Sequence, residues 1–207
     1  MNVETPTTPR VSVGLTPNPM TTPKKTVGVL ALQGDFEAHR KALEHAGAHV
    51  AEVRTAAQLE SIDGLVIPGG ESTTMLKVLE YENMFEPLRQ FGLHKPIFGT
   101  CAGAILIARA VTNPVQASLN LMDIEVERNA YGRQMDSRIV NLSLPDGDIE
   151  AVFIRAPIIR KTGPHVKVLA TYLDLPVFAE EGRHMVATFH PELTKDSRVH
   201  RYFVEKL

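Results

Sequence analysis

The 207-residue sequence contains a single cysteine, Cys101, so no disulfide can form within the chain. One thiol does not provide a cysteine-rich metal motif, and we expect no metal. This cysteine content suits a reducing compartment such as the cytoplasm. No apolar run approaches the ~20 residues that span a bilayer, and the N-terminus lacks the apolar segment of a secretory signal. We therefore expect neither a membrane span nor secretion.

The sequence also has little net charge. Lys and Arg number 22 and Asp and Glu number 24, which gives a formal net charge of -2. This balance predicts no general affinity for nucleic acid or for an anionic membrane. A content of 43% hydrophobic and 22% charged residues is typical of an ordinary soluble globular protein with one sizeable core.

Residues 1–25 differ from the rest of the chain because Thr and Pro dominate them. Such a stretch cannot bury enough apolar surface to offset the entropy lost on ordering, so we expect a disordered tail. A transit peptide is the alternative, but Arg10 is the only arginine of the tail, which disfavours it. Residues 26–207 show no internal repeat and no second boundary, and we expect one domain there.

The first half of this domain alternates apolar strands with amphipathic helices. Strands are predicted at 26–32, 49–53, 65–67 and 96–99, and helices at 36–46, 72–79, 86–93 and after residue 101. This alternation predicts an α/β fold with a parallel sheet covered on both faces. After Pro114 shorter strands are predicted at 124–128, 138–144, 151–155, 167–171, 177–179 and 185–189, with a turn at 145–147. Asp196 or Ser197 is expected to cap a last helix, with Val199, Phe203 and Leu207 on its inner side.

Cys101 lies at the apex of a predicted strand–turn–helix unit. Small residues at Gly99, Ala102 and Gly103 permit a sharp turn and close packing. A helix N-terminus favours the thiolate, which is the nucleophilic form of cysteine, and Gly-x-Cys-x-Gly has the layout of a nucleophile elbow. Taken alone, Cys101 is equally well explained as a buried, inert cysteine.

His190 is the best placed of the eight histidines to serve Cys101 as a base. It follows an apolar strand and is expected at the carboxyl edge of the sheet, where sites of open α/β folds assemble. Glu192 lies two residues further on, so both side chains point the same way if the segment is extended. The carboxylate can then orient the imidazole and stabilise imidazolium. Without Cys101, a solvated loop histidine beside a surface glutamate explains the pair better.

The segment Pro68 to Ser72 also follows a strand. Its glycines, Gly69 and Gly70, free the backbone to direct an N–H group at a ligand oxygen, and with the N–H of Ala102 they can form an oxyanion hole. A plain strand-to-helix turn is the alternative. The spacing Gly-x-x-x-x-Gly-Lys is missing, which disfavours a phosphate-binding loop.

Together the segments 99–103, 68–74 and 190–192 resemble class I (triad) glutamine amidotransferases. The segments 31–35, 126–129, 132–137 and 152–157 resemble, more narrowly, the glutaminase subunits of pyridoxal 5'-phosphate synthases. The resemblance covers residues 26–207, and several motifs in one order are far more specific than any one of them. The Thr/Pro-rich tail departs from the family, whose members usually start near the first strand.

The resemblance implies a flavodoxin-like, doubly wound domain that hydrolyses L-glutamine to glutamate and ammonia. It further implies that the ammonia passes to a separate barrel-shaped synthase subunit, which makes pyridoxal 5'-phosphate from pentose and triose phosphates. No cofactor is implied for the glutaminase itself. The alternatives are another class I amidotransferase, a free-standing cysteine amidase and a non-catalytic regulatory subunit. The intact Cys101, His190 and Glu192 disfavour the last of these.

By motif match, Cys101 is the nucleophile and His190 and Glu192 complete the triad. The glutamine-binding loop is matched by Gly70, Glu71 and Ser72, and other substrate contacts by Arg128, Ile154 and Arg155. Arg128 suits the substrate carboxylate and Glu71 its ammonium group. For Arg128 and Arg155 an exposed arginine at a strand end is the alternative. We also expect Gln33 near the oxyanion loop and the partner interface.

Overall fold

The structure is a computed structural model that describes residues 25–130 and 137–207. All of the predicted tail except Lys25, and residues 132–136 of the family motif, lie outside the described residues. The first half contains β1 (Thr26–Leu30), α1 (Phe36–His45), β2 (His49–Val53), β3 (Gly64–Ile67), α2 (Ser72–Tyr81), α3 (Phe85–His94), β4 (Ile97–Thr100), α4 (Ala102–Ile107) and β5 (Ala108–Thr112). The second half contains β6 (Met122–Glu127), β7 (Arg138–Leu144), β8 (Gly147–Phe153), β9 (Ile158–Thr162), β10 (Lys167–Tyr172), β11 (Leu175–Glu181), β12 (His184–Ala187) and α5 (Arg198–Val204).

A seven-stranded sheet in the order β10-β11-β12-β4-β3-β1-β2 forms the centre of the domain. The strands β2, β1, β3, β4 and β12 are parallel, and β11 and β10 continue the sheet as antiparallel strands. With β12 as the fifth parallel strand, the order 2-1-3-4-5 is that of flavodoxin-like doubly wound folds. The prediction of a mainly parallel α/β sheet is confirmed.

Helices cover both faces of this sheet because successive side chains of each buried strand point to opposite faces. Leu65 of β3 packs in one core with Met75 of α2 and Leu88 of α3. Val66, the next residue of β3, packs in a second core with Leu43 of α1 and Phe203 of α5. The two cores together position the carboxyl ends of β3, β4 and β12 side by side.

Two smaller sheets flank the central one: β5-β6-β9 and the hairpin β7-β8. The hairpin confirms the predicted turn at 145–147. Four elements were not predicted: β5, β9 and two 3-10 helices, over Ala56–Ser61 and over Pro191–Leu193. The second of these helices follows His190, where an extended segment was expected. The first strand ends at Leu30 rather than at residue 32, before the turn at Gly34, and α5 ends at Val204, so Leu207 packs from beyond the helix. Within the described residues, no helix is both long and apolar enough to cross a membrane.

Because of His184, we expect the folded protein to become less stable in mild acid. Its ring is buried on β12, and Nδ1 accepts a hydrogen bond from the N–H of Ile97 at 3.2 Å. Burial, helped by the charge of Arg183, lowers the pKa of His184 to about 4. An unfolded histidine has a pKa of about 6.5, so between these values the unfolded chain binds more protons and stability decreases as the pH falls.

We expect this histidine to remove up to about 3 kcal/mol of unfolding free energy between pH 7 and pH 4. His184→Asn keeps an acceptor near the position of Nδ1 but cannot titrate. Urea unfolding of both proteins across this range is the measurement, and the stability advantage of the wild type over the variant should shrink on acidification. A constant difference would contradict the prediction.

Candidate functional site

Cys101 stands between β4 and α4 in a strained backbone conformation. Its φ of 48° and ψ of -103° lie outside the regions that residues with a side chain normally adopt. The N–H of Cys101 donates to the carbonyl of Ala187 on β12 at 2.8 Å, which holds the turn against the neighbouring strand. A Cβ at Gly103 would lie 2.1 Å from the carbonyl oxygen of Ile67, so only glycine permits α4 to pack this closely on β3.

His190 and Glu192 follow β12, the strand beside β4. The backbone N–H of His190 donates to the carbonyl of Val152 at 2.8 Å, and its Nδ1 lies 2.7 Å from Oε1 of Glu192. An ionised carboxylate only accepts, so Nδ1 carries the proton of this hydrogen bond. The Cys101 thiol and the His190 imidazole line the same cavity and interact electrostatically.

The charges of these three groups support one another. Burial by itself would lower the pKa of His190, but the Cys101 sulfur and the Glu192 carboxylate outweigh it and raise this pKa to about 10. Burial would raise the pKa of Glu192, but the nearby imidazole of His39 and the hydrogen-bonded imidazolium of His190 outweigh it and keep this pKa below its usual value. At neutral pH the arrangement therefore favours an ionised Glu192 and a protonated His190.

The glycine loop after β3 lies directly against this pair. A Cβ at Gly69 would lie 2.5 Å from Cε1 of His190 and 3.3 Å from Cβ of Cys101, so a side chain there would displace the imidazole. Ala102 is the first residue of α4, and its N–H has no intrahelical acceptor. The amide of Gln33 packs against Gly70 of this glycine loop.

A cavity of about 350 Å³ opens beside Cys101 and His190. The predicted substrate contacts all line it: Gly70, Glu71, Ser72, Arg128, Ile154 and Arg155. Ile105, Asn129 and Pro157 also line the cavity, although the sequence assigned no role to them. Asn129 and Pro157 belong to the resembling segments 126–129 and 152–157. Asn129 adopts a φ of 46°, a conformation that asparagine tolerates better than most residues.

Arg128 and Glu71 are held by the same threonine-rich turn. Arg128 is 8% exposed and donates to Oγ1 of Thr73 at 2.6 Å, so the alternative of an exposed arginine is wrong for this residue. Glu71 caps α2 by accepting from the N–H groups of Thr73 and Thr74, and Arg128 lies 3.4 Å from Oε1. Burial opposes ionisation of Glu71, but these donors lower its pKa to about 2. Arg155 is exposed at the cavity, with a φ of 44°.

The buried histidines behind Glu192 escaped the sequence analysis. His39 on α1 and His200 on α5 are both 0% exposed, and His39 lies 3.3 Å from Glu192. The signal was present, because a histidine on the apolar face of a predicted helix needs a buried polar partner.

Comparison with known proteins identifies relatives over the same part of the chain. Residues 29–207 match the model of the SNO glutamine amidotransferase family. The pyridoxal 5'-phosphate synthase subunit PdxT of Solibacter usitatus is 60% identical over 191 residues, covering 88% of this chain and 100% of that relative. The protein of the same name from Thermosipho africanus is 48% identical over 181 residues, covering 86% of this chain and 96% of its own.

Solved structures give the same result. The crystal structure of a glutamine amidotransferase superposes with a TM-score of 0.82 at 44% identity, covering 87% of this chain and 97% of that chain. The structure of PurLQS from Thermotoga maritima superposes with a TM-score of 0.60 at 16% identity, covering 88% of this chain and 95% of its own. The second likeness is one of fold alone.

Proposed function

The chain belongs to the SNO glutamine amidotransferase family, and on this premise we propose that Cys101, His190 and Glu192 are the triad with which it hydrolyses L-glutamine. The reaction gives L-glutamate and ammonia, and the ammonia is supplied to the synthase subunit that makes pyridoxal 5'-phosphate. The alignment of Glu192, His190 and the Cys101 thiol beside the cavity is the observation that carries this proposal.

The chemistry proceeds through a thioester. The Cys101 sulfur forms a bond to the side-chain amide carbon of glutamine, and His190 gives its proton to the departing nitrogen as the C–N bond breaks. His190 then takes a proton from water as the water oxygen attacks the thioester carbonyl. The C–S bond breaks, glutamate leaves, and the proton returns to the Cys101–His190 pair. Glu192 stabilises the imidazolium throughout.

Both steps develop negative charge on the carbonyl oxygen of the substrate. The free N–H of Ala102 and an N–H of the Gly69–Gly70 segment are the proposed donors to this oxyanion. Loss of one such donor typically costs about 10²–10³-fold in rate. The proximity of Gly69 to both Cys101 and His190 supports this assignment.

The rest of the cavity is proposed to bind the amino-acid end of glutamine. Arg128 is the partner of the α-carboxylate, because its guanidinium is buried at the cavity wall and held by Thr73. Glu71 is the acceptor for the α-ammonium group, an interaction it would make in addition to capping α2. Ser72, Ile154 and Arg155 complete the pocket.

The proposal also includes the cytoplasmic location of the protein and its contact with the synthase subunit. The nucleophile is an unpaired thiol, which a reducing cytoplasm preserves. Gln33 lies at the carboxyl edge of β1 against Gly70, and we assign it to the interface with the synthase subunit. Through this contact, partner binding can adjust the oxyanion loop.

Arg128→Gln is expected to raise the KM for glutamine about 10–100-fold and to change kcat less, because a charge-assisted bidentate contact is lost in ground state and transition state alike. Steady-state ammonia release over a range of glutamine concentrations is the measurement. Arg109→Gln is the matched control, since Arg109 pairs with Asp123 on the surface away from the cavity. An unchanged KM for Arg128→Gln would remove Arg128 from the binding site.

The first experiment is ammonia release from L-glutamine by the chain alone and with a pyridoxal 5'-phosphate synthase subunit. Strong stimulation by the partner supports the proposal in full. Activity that the partner does not change keeps the triad but points to another amidotransferase or a free-standing amidase, which peptide and ester substrates distinguish. No ammonia in either case, together with no alkylation of Cys101 by a diazo-ketone glutamine analogue, points to a non-catalytic subunit.

A further inference from the structure

A series of buried polar side chains continues from Glu192 into the core, away from the cavity. Glu192 accepts from His190 through Oε1, and its second oxygen, Oε2, lies 3.3 Å from Nε2 of His39. The same Nε2 lies 3.1 Å from Oγ1 of Thr100, and Nδ1 of His39 lies 2.9 Å from Nε2 of His200. His39, Thr100 and His200 are all 0% exposed.

The Oε2 oxygen of Glu192 needs a donor, because a buried carboxylate oxygen without one is costly. Among the described residues no well-aligned hydrogen bond reaches this oxygen. His39 is the neighbour at ion-pair distance from it. Nε2 of His39 is therefore the candidate donor to Oε2.

The positions of the protons follow from the available donors and acceptors. If Nδ1 of His39 held the proton, a lone pair would face the Glu192 carboxylate, and His200 would keep its own proton on Nδ1, which has no partner among the described residues. If Nε2 of His39 holds the proton, that proton lies within reach of both Thr100 and Glu192, and Nδ1 accepts from Nε2 of His200. In the second arrangement Nδ1 of His200 is an acceptor without a donor. In the first it is a donor without an acceptor, and the Nε2 lone pair of His39 also repels the Glu192 carboxylate. The second arrangement is therefore favoured.

Both inner histidines are neutral in this arrangement. Burial lowers the pKa of His39, and burial together with the neighbouring His39 lowers the pKa of His200 to about 3. Glu192, His190 and Asp35 are the other titratable groups whose charge reaches His39. His39 therefore presents an N–H donor to Glu192 rather than a second charge.

We propose that His39 is a positioning residue that holds the Glu192 carboxylate, and through it His190 and Cys101, in the reactive alignment. The inference rests on the proposed glutaminase function. With a donor on each oxygen, the carboxylate cannot rotate away from His190. Because His39 belongs to α1 and His200 to α5, the packing of these two helices fixes the orientation of the triad from behind.

Two amide substitutions test this role, since each replaces one ring nitrogen. In His39→Gln the amide N–H reaches the position of Nε2 and can donate to Glu192. In His39→Asn the amide reaches only the position of Nδ1, so the contact with His200 is kept and Oε2 of Glu192 has no donor. His184→Asn is the matched control: a buried histidine of β12 whose Nδ1 contacts Ile97, outside the triad.

In complex with the synthase subunit, His39→Asn should have a kcat about 10–100-fold below that of the wild type, because a hydrogen bond to a charged group is lost. The KM for glutamine should change little, since His39 does not line the cavity. His39→Gln should recover most of the rate, and His184→Asn should keep the wild-type rate although it also loses stability. Equal kcat values in His39→Asn and His39→Gln overturn the proposal.

A second readout needs no glutamine. Cys101 is the only thiol, so its alkylation by iodoacetamide reports the thiolate at the site alone. A Glu192 with one donor fewer stabilises the imidazolium less, so alkylation at neutral pH should be slower in His39→Asn than in wild type and in His39→Gln. An unchanged or faster alkylation of His39→Asn overturns the proposal. If the glutaminase function itself is wrong, the wild-type protein releases no ammonia. This result distinguishes that failure from a failure of the role proposed for His39.

Discussion

Replacing Cys101 by alanine is expected to abolish ammonia release from glutamine, by more than about 10⁴-fold in kcat. The reaction loses the atom that forms the thioester, and no second cysteine in the chain can replace it. Alanine keeps Cβ and removes only the sulfur, so the elbow between β4 and α4 should remain. The measurement is ammonia release by the variant in the presence of the synthase subunit.

Binding of the partner and thermal unfolding serve as the controls for Cys101→Ala. Both should stay close to wild type, because the hydrogen bond from the backbone N–H of residue 101 to the carbonyl of Ala187 does not involve the side chain. Appreciable ammonia release by a folded, partner-bound variant would falsify the covalent mechanism. Loss of partner binding would show that the thiol has a structural role as well.

Glu192→Gln is expected to lower kcat on the order of 10⁴-fold, as replacement of the carboxylate by an amide does in other triads. A neutral amide does not stabilise the imidazolium of His190. It also meets two N–H donors, Nδ1 of His190 and Nε2 of His39, with a single carbonyl oxygen. One donor must therefore face the amide nitrogen, and the alignment of His190 is disturbed in addition to the loss of charge.

Single-turnover thioester formation and its pH dependence are the measurements for Glu192→Gln. Glu180→Gln is a suitable control, because Glu180 lies on the neighbouring strand β11, outside the cavity. Its carboxylate pairs with Lys167 and Lys206. A rate within threefold of wild type for Glu192→Gln would assign the orientation of His190 to another group.

The central sheet was predictable because its strands are buried on both faces. Short apolar runs such as 64–67 and 97–100 lie next to Gly and Pro residues, which indicate where each strand begins or ends. The strand β5 was not predictable in the same way. It begins at Ala108 directly after α4, which ends at Ile107 after six residues, with no turn residue between them.

The candidate site was predictable as far as its chemistry follows strand ends. Cys101, Gly69 and His190 each follow a strand, so the topology alone brings them to one edge. The apolar helix face indicated that His39 needs a buried polar partner. That this partner is Glu192 was not predictable, because it depends on how α1 and α5 pack across the sheet. Pairings between residues so far apart in sequence leave no local pattern.

The place of β12 in the sheet has a consequence for synthesis on the ribosome. This strand lies between β4 and β11, although it is the last of the seven strands to be made. The nascent protein therefore presents Cys101, the proposed nucleophile, long before His190 and Glu192 emerge and dock beside it. Such a distant pairing forms late because the intervening loop must close first. With the proposed triad, ammonia production has to wait until residues 190–192 have been made and have docked, and we expect a chain terminated before them to release no ammonia.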